Sequence, residues 1–169
     1  MPPRRLSNLI KRISSSRPGA YVLARLLPPL DRWWFRRSGG SSLLTSLLVD
    51  VPTVMVTTIG AKSGLPRLTP LLAISSDHAP SSFALIATNF GQESYPAWYF
   101  NLKANPRAVC TWNGVTRTYQ AHEASGEEYE TYWQLAIRAY FGYSLYRQRI
   151  HHRYIPIMVL TPLDESPLN

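Results

Sequence analysis

Residues 53–75 read TVMVTTIGAKSGLPRLTPLLAIS. Two runs rich in β-branched and apolar residues, 53–59 and 67–75, flank a basic turn bounded by glycines. That pattern predicts a pair of antiparallel strands. The turn itself, Gly60-Ala61-Lys62-Ser63-Gly64, has the residue types of a phosphate loop. A Walker loop needs Gly-Lys-Ser/Thr contiguous, with another glycine five residues before that glycine. Here Ala61 separates Gly60 from Lys62, and Met55 occupies the upstream position. The nucleotide-loop reading fails on spacing, although the turn keeps the chemistry of anion recognition.

Working outward, FALIATN (83–89) predicts a third strand. YPAWYFNLKANP (95–106) has proline in its first turn and ends at Asn105-Pro106, which predicts a short helix. RAVCTWN (107–113) and VTRTYQAHE (115–123) meet around Asn113-Gly114, a strong hairpin signal. Ser125 and Glu128 have capping-box spacing and open a helix to about Tyr140. Phe141-Gly142 breaks it, a second helical piece follows over 143–150, and IPIMVLTP (155–162) closes the chain's pattern as a buried strand. The expected class is α+β, mainly β. Six short antiparallel strands with a few helices predict a small barrel that closes on itself to avoid edges.

A chain of 169 residues suits one domain. Its single cysteine, Cys110, excludes an internal disulfide framework and reads as a plain buried thiol. The four histidines do not cluster with cysteine or acids at ligand spacing, so no metal is expected. The net charge of +8 is concentrated: residues 1–37 hold nine Lys/Arg and one acid, Asp31, whereas the nine remaining basic residues are balanced by nine acids. A neutral body argues against nucleic acid as a partner.

The expected division is a basic amphipathic N-terminal segment (1–42, ending in a Ser38–Ser42 joint), a β-barrel body (43–163) and a short tail (164–169). Arg25, Asp31 and Arg32 interrupt every apolar run near the N-terminus, so nothing is long enough to span a bilayer. Leu23, Leu26, Leu27 and Leu30 share a helical face beside Trp33, Trp34, Phe35, Arg36 and Arg37. That face fits a helix lying on an anionic membrane surface, and it equally fits a helix packed on the protein's own core. The expected location is cytoplasmic, with peripheral contact on the inner face of the membrane under the first reading.

Three features stand together: T-T-x-G-x-K-S-G-x-x-R-x-x-P-L from Thr57 to Leu71, A-T-N…P-A-W-Y-x-N-L-x-A-N-P from Ala87 to Pro106, and Tyr140, Tyr143 and Tyr146 at spacing three. Their combination resembles the deazaflavin-dependent nitroreductase family, also described as coenzyme F-420-dependent quinone reductases, over roughly residues 50–162. The resemblance implies a split β-barrel of the FMN-binding type, with hydride passing from reduced deazaflavin to a quinone or nitro-type acceptor. FMN is the alternative cofactor, and a non-catalytic deazaflavin-binding or peripheral membrane protein is the alternative role.

The resemblance also implies a site. Lys62, Ser63 and Arg67 take the cofactor's phosphate and acidic tail, which agrees with two cations, a hydroxyl donor and two permissive glycines at the turn. The family often carries arginine where Ala61 stands, so this turn holds one cation fewer. Thr69, Pro70, Leu71, Thr88 and Asn89 at strand ends, and Ala97, Trp98 and Asn101 on the short helix, surround the deazaflavin ring. Trp98 serves equally as a core anchor for that helix. Tyr140, Tyr143 and Tyr146, with the Thr88 hydroxyl, form the catalytic set: the phenols orient the acceptor oxygen and donate a hydrogen bond or proton. Gly142 would hinge this segment as a lid, and a continuous helix would fan the three rings over about 120°. The same three tyrosines also fit an aromatic core stripe.

Overall fold

A computed structural model of the chain describes residues 52–76, 79–112 and 114–163, together with residues 22, 26, 29–31, 33, 34 and 37 near the N-terminus. The Ser38–Ser42 joint, Leu23, Leu27, Phe35, Arg36, Asp77, Asn113 and the tail lie outside the described residues.

Among the described residues seven antiparallel strands form one sheet: β1 (Thr53–Ile59), β2 (Pro66–Leu72), β3 (Ile74–Ser76), β4 (Ala79–Ile86), β5 (Arg107–Trp112), β6 (Val115–Glu123) and β7 (Ile157–Pro162). Within residues 52–163 the described helices are α1 (Ala97–Ala104), α2 (Gly126–Ala139) and α3 (Gly142–Arg149), with a 3₁₀ turn at Asn89–Gly91. Strand order is β2-β1-β5-β6-β7-β4-β3. The count of six strands is corrected to seven, because the expected 67–75 strand divides at Ala73. Its first part pairs with β1 (Thr53 opposite Leu72) and its second with β4 (Ile74 opposite Ala84). The two ends of the strand order are therefore separated in sequence by Ala73 alone.

Side-chain alternation explains why both faces of β4 and β7 are apolar. Phe83 and Leu85 of β4, with Met158 and Leu160 of β7, join one core with Val54, Val56, Trp98, Tyr99 and Leu102. Ala84, Ile86, Ile157 and Val159 join the other, with Tyr132, Trp133 and Ala136 of α2 and Tyr143 and Tyr146 of α3. Thus α1 covers one face, and α2 and α3 cover the other. Each fully buried large side chain, such as Phe83 or Leu85, contributes about 1.5–3 kcal/mol. Strands covered on both faces read as unbroken apolar runs, as FALI and IMVL do.

Local signals set the helix ends. Pro96 is the extended N-cap of α1 rather than its first helical residue. Asn105, held extended by Pro106, ends α1. Gly114 turns the β5–β6 hairpin at φ +77°. Ser125 is the N-cap of α2, but its side chain makes no capping bond. Glu128 instead binds His122 Nε2 at 2.9 Å, so the capping box does not form.

Candidate functional site

The β1–β2 turn is tightly tied. Gly60 N–H donates to Leu65 O at 2.9 Å, and Gly64 N–H donates to Gly60 O at 2.8 Å. Gly64 is left-handed, at φ +65°. Gly60 is required for a different reason, since a Cβ there would lie 2.6 Å from Ser63 Oγ. Leu65 N–H donates to Ser63 Oγ at 3.3 Å, and Arg67 Nη2 reaches the same oxygen at 3.4 Å. Ala61 N–H donates to Asn101 Oδ1 at 2.9 Å. Four amides of the turn are thus engaged within the protein. What the turn offers an anion is the pair of exposed cations, Lys62 and Arg67, with the Ser63 hydroxyl between them in sequence.

Asn101 is the strut beneath this turn. Its Nδ2 donates to Thr58 Oγ1 at 2.9 Å, and both residues are buried. Both ends of the amide are therefore spent on β1 and the turn. Trp98 is buried beside Leu85, Ala87, Val54 and Val56, where it anchors α1 to the sheet. Ala97, its neighbour, is exposed. Thr69, Pro70 and Leu71 are half-buried in β2, opposite Val56, Met55 and Val54. Leu71 packs against the core that holds Trp98 and Ala87, so this core links β2, α1 and the end of β4.

The end of β4 leads into a second, more unusual turn. Asn89 (φ 48°), Phe90 (φ 57°) and Gly91 (φ 78°) are three consecutive left-handed residues. Such backbone is costly for residues with a Cβ and persists only where the surroundings hold it. Thr88 is buried, and Asn89 Nδ2 is occupied by Ser94 O and Oγ, each at 3.1 Å. Gly91 lies against the ring of Tyr146, where a Cβ would approach Cδ1 to 2.8 Å.

The three tyrosines meet, but not as a fan on one helix. Tyr140 is the extended C-cap of α2, while Tyr143 and Tyr146 belong to α3. Their rings contact one another pairwise, with centroids 5.5–6.3 Å apart, and the Tyr140 and Tyr146 hydroxyls lie 3.4 Å apart. All three are buried. Burial pushes the phenols of Tyr143 and Tyr146 well above the ordinary range, so both stay protonated donors. Gly142 has a packing reason to be glycine: the Tyr140 ring lies directly over the position its Cβ would take.

Three groups around this site carry no motif. Arg153 donates from Nη1 to Ala87 O (3.1 Å), from Nη2 to Thr88 O (3.0 Å) and from Nη2 to Gln92 O (2.9 Å). Glu93 accepts the N–H groups of His151 (2.9 Å) and His152 (3.3 Å), and the His151 bond leads the lowering of its pKa. Glu123, at the end of β6, accepts from Tyr154, Tyr99 and Lys103. Burial opposes its ionisation, and these three donors outweigh that effect and lower its pKa. No sequence signal marks Arg153, because its acceptors are backbone carbonyls 61–66 residues away.

Comparison with known proteins adds a family to this geometry. The family model for F420H(2)-dependent quinone reductase matches residues 30–162. The F420H(2)-dependent quinone reductase Rv1261c of Mycobacterium tuberculosis (strain ATCC 25618 / H37Rv) is 33% identical over 116 residues, covering 65% of this chain and 73% of that protein. A solved F420-H2 dependent reductase, FDR-A, superposes with a TM-score of 0.59 at 36% identity, covering 65% of this chain and 94% of its own. A second solved chain, described as a domain-swapped dimer, gives a TM-score of 0.61 at 32% identity, covering 77% of this chain and 96% of that one.

Proposed function

The chain belongs to the F420H(2)-dependent quinone reductase family, and from that premise we propose that it is an oxidoreductase that passes hydride from reduced coenzyme F-420 to a quinone. The observation that carries the residue assignment is the Asn101 strut: it fixes the β1–β2 turn from beneath and leaves Lys62, Ser63 and Arg67 exposed. This donor set suits an anionic phosphate tail. The bound deazaflavin supplies the hydride, as is usual for enzymes whose cofactor carries the redox chemistry.

The protein's own residues then bind and orient. Lys62 and Arg67 hold the acidic tail, Arg67 by its planar fork and Lys62 as a point charge. Thr69, Pro70 and Leu71 line one side of the ring site, with Thr88, Asn89, Ala97 and Trp98 on the other, and Trp98 also anchors α1. Tyr140, Tyr143 and Tyr146 orient the acceptor oxygen through their phenol hydroxyls, with Tyr143 and Tyr146 held neutral by burial. In the described conformation these rings face each other, so presenting a phenol to an acceptor requires α3 to shift. Nitro compounds are a further acceptor class, because their oxygens take the same hydrogen bonds. The one-residue link between β2 and β3 at Ala73 supports closure of the sheet into a split barrel, as the body of a chain divided at 1–42, 43–163 and 164–169.

A steady-state assay with F-420H2 and menadione tests the reading. Saturable oxidation of F-420H2 that depends on menadione supports it. Bound F-420 without turnover points instead to a cofactor carrier.

A second reading concerns location. The described N-terminal residues are helical, and Val22, Leu26, Leu30 and Trp33, at helical spacing, are 48–59% exposed. Among the described residues no helix is long and apolar enough to cross a membrane. This apolar face, within a segment of nine basic residues and one acid, fits peripheral contact with an anionic membrane on its cytoplasmic side. Flotation of the full chain with phosphatidylglycerol vesicles should be lost in a Leu26→Ser, Leu30→Ser, Trp33→Ser variant, and unchanged flotation would reject the contact.

A further inference from the structure

We propose that Arg153 is a positioning residue for the site: its guanidinium locks the 87–92 turn and thereby sets both the end of β4 and the Tyr146 ring. The inference rests on the assignment of Thr88, Asn89 and the tyrosines made above, and it concerns a residue assigned to neither the ring site nor the tail site.

The hydrogen-bond geometry is the first ground. Besides the bonds to Ala87, Thr88 and Gln92, Arg153 Nη1 donates to Tyr154 O at 3.1 Å and Nε reaches Gln92 O at 3.3 Å. All three guanidinium nitrogens thus serve backbone carbonyls, three of which belong to one turn. The planar five-donor fork of arginine can bridge them, and a lysine ammonium, as a single point, cannot. The guanidinium also sits 4.5 Å from the centroid of the Tyr95 ring, which supports it from the other side.

The backbone of the turn is the second ground. Asn89, Phe90 and Gly91 are all left-handed, and Asn89 and Phe90 carry a Cβ. This conformation needs outside support, which Arg153 supplies at both ends of the strained stretch, at Ala87 and Thr88 before it and at Gln92 after it. Glu93 completes a reciprocal clasp by accepting two amides from the segment that carries Arg153. The consequence reaches the tyrosines because Gly91 packs directly on the Tyr146 ring. Arg153 thus couples the strand end that faces the cofactor to the cluster that faces the acceptor.

Hydrogen exchange on the cofactor-free full chain tests this, beside an F-420 fluorescence titration. In Arg153→Lys the amides of 88–93 should exchange about tenfold faster or more, with 53–72 unchanged, and F-420 affinity should fall about tenfold. Unchanged exchange in 88–93 would overturn the proposal, and so would a rise spread evenly over the chain. If Arg153→Lys fails to fold, Tyr95→Leu, which removes the ring beneath the guanidinium together with its contacts to Tyr99, Phe100 and Tyr154, should raise exchange in 88–93 by a smaller factor; no rise there would equally overturn it. The exchange result stands whether or not F-420 binds. Absence of F-420 binding to the wild-type chain would therefore count against the functional reading alone.

Discussion

Asn101 Oδ1 accepts the Ala61 N–H at 2.9 Å while Asn101 Nδ2 donates to the buried Thr58 hydroxyl at 2.9 Å. One amide thus ties α1 to both the last residues of β1 and the basic turn. Asn101→Leu leaves a buried hydroxyl and a turn amide unpaired, at a cost of about 1–3 kcal/mol. Thermal unfolding should register that loss. F-420 affinity should fall as well, because Lys62 and Arg67 lose their fixed frame. An unchanged melting temperature would remove Asn101 from this role.

Lys62 and Arg67 are exposed, so each is screened by salt. Lys62→Ala and Arg67→Ala should each weaken F-420 binding by about fivefold at low ionic strength, and by less at high salt. Ala61→Arg adds a cation at the same turn and should tighten binding by a few-fold with the same salt signature. Titrations at two salt concentrations distinguish this from a change in packing.

Tyr143→Phe removes a hydroxyl and keeps the ring, so cofactor affinity should hold while turnover with menadione falls about tenfold or more. Equal losses in affinity and turnover would place Tyr143 in the cofactor site instead.

The same tyrosines make a pH prediction. Burial holds the folded-state pKa of Tyr143 and Tyr146 above the unfolded value of about 10. A group raised in this way contributes its full stability below the unfolded pKa, and that contribution declines as pH climbs above it toward the folded value. The melting temperature should therefore fall on going from pH 9 to pH 11, and it should fall less steeply in Tyr143→Phe.

Gly142 lies under the Tyr140 ring, so any side chain there must displace a buried aromatic. Gly142→Ala should cost about 1–3 kcal/mol. Thermal denaturation measures it, and a variant as stable as the wild type would show that the ring moves freely.

The hairpin of β1 and β2, the turn at Gly114 and both strands around it were legible in the sequence because periodicity and turn chemistry are local. The division of the second strand at Ala73 was not. No glycine, proline or charged residue stands at the division, and only the different partners of the two halves, β1 and β4, separate them. The capping box failed for a similar reason, since His122 from β6 takes the Glu128 carboxylate before the helix N-terminus can. The tyrosine spacing was visible, yet Tyr140 ends α2 in extended backbone, so the rings converge from two helices. Asn101 was legible as a site residue by resemblance, but its two hydrogen bonds span 40 and 43 residues of sequence and make it a strut. Arg153 gave no sequence signal at all, because a donor to backbone carbonyls 61–66 residues away leaves no motif.

The most direct test of the central claim is a fluorescence titration of the full chain with F-420, run in parallel with FMN. The account predicts saturable F-420 binding that weakens in Lys62→Ala and Arg67→Ala, with FMN bound far more weakly. Tight binding of FMN with no affinity for F-420 would contradict it.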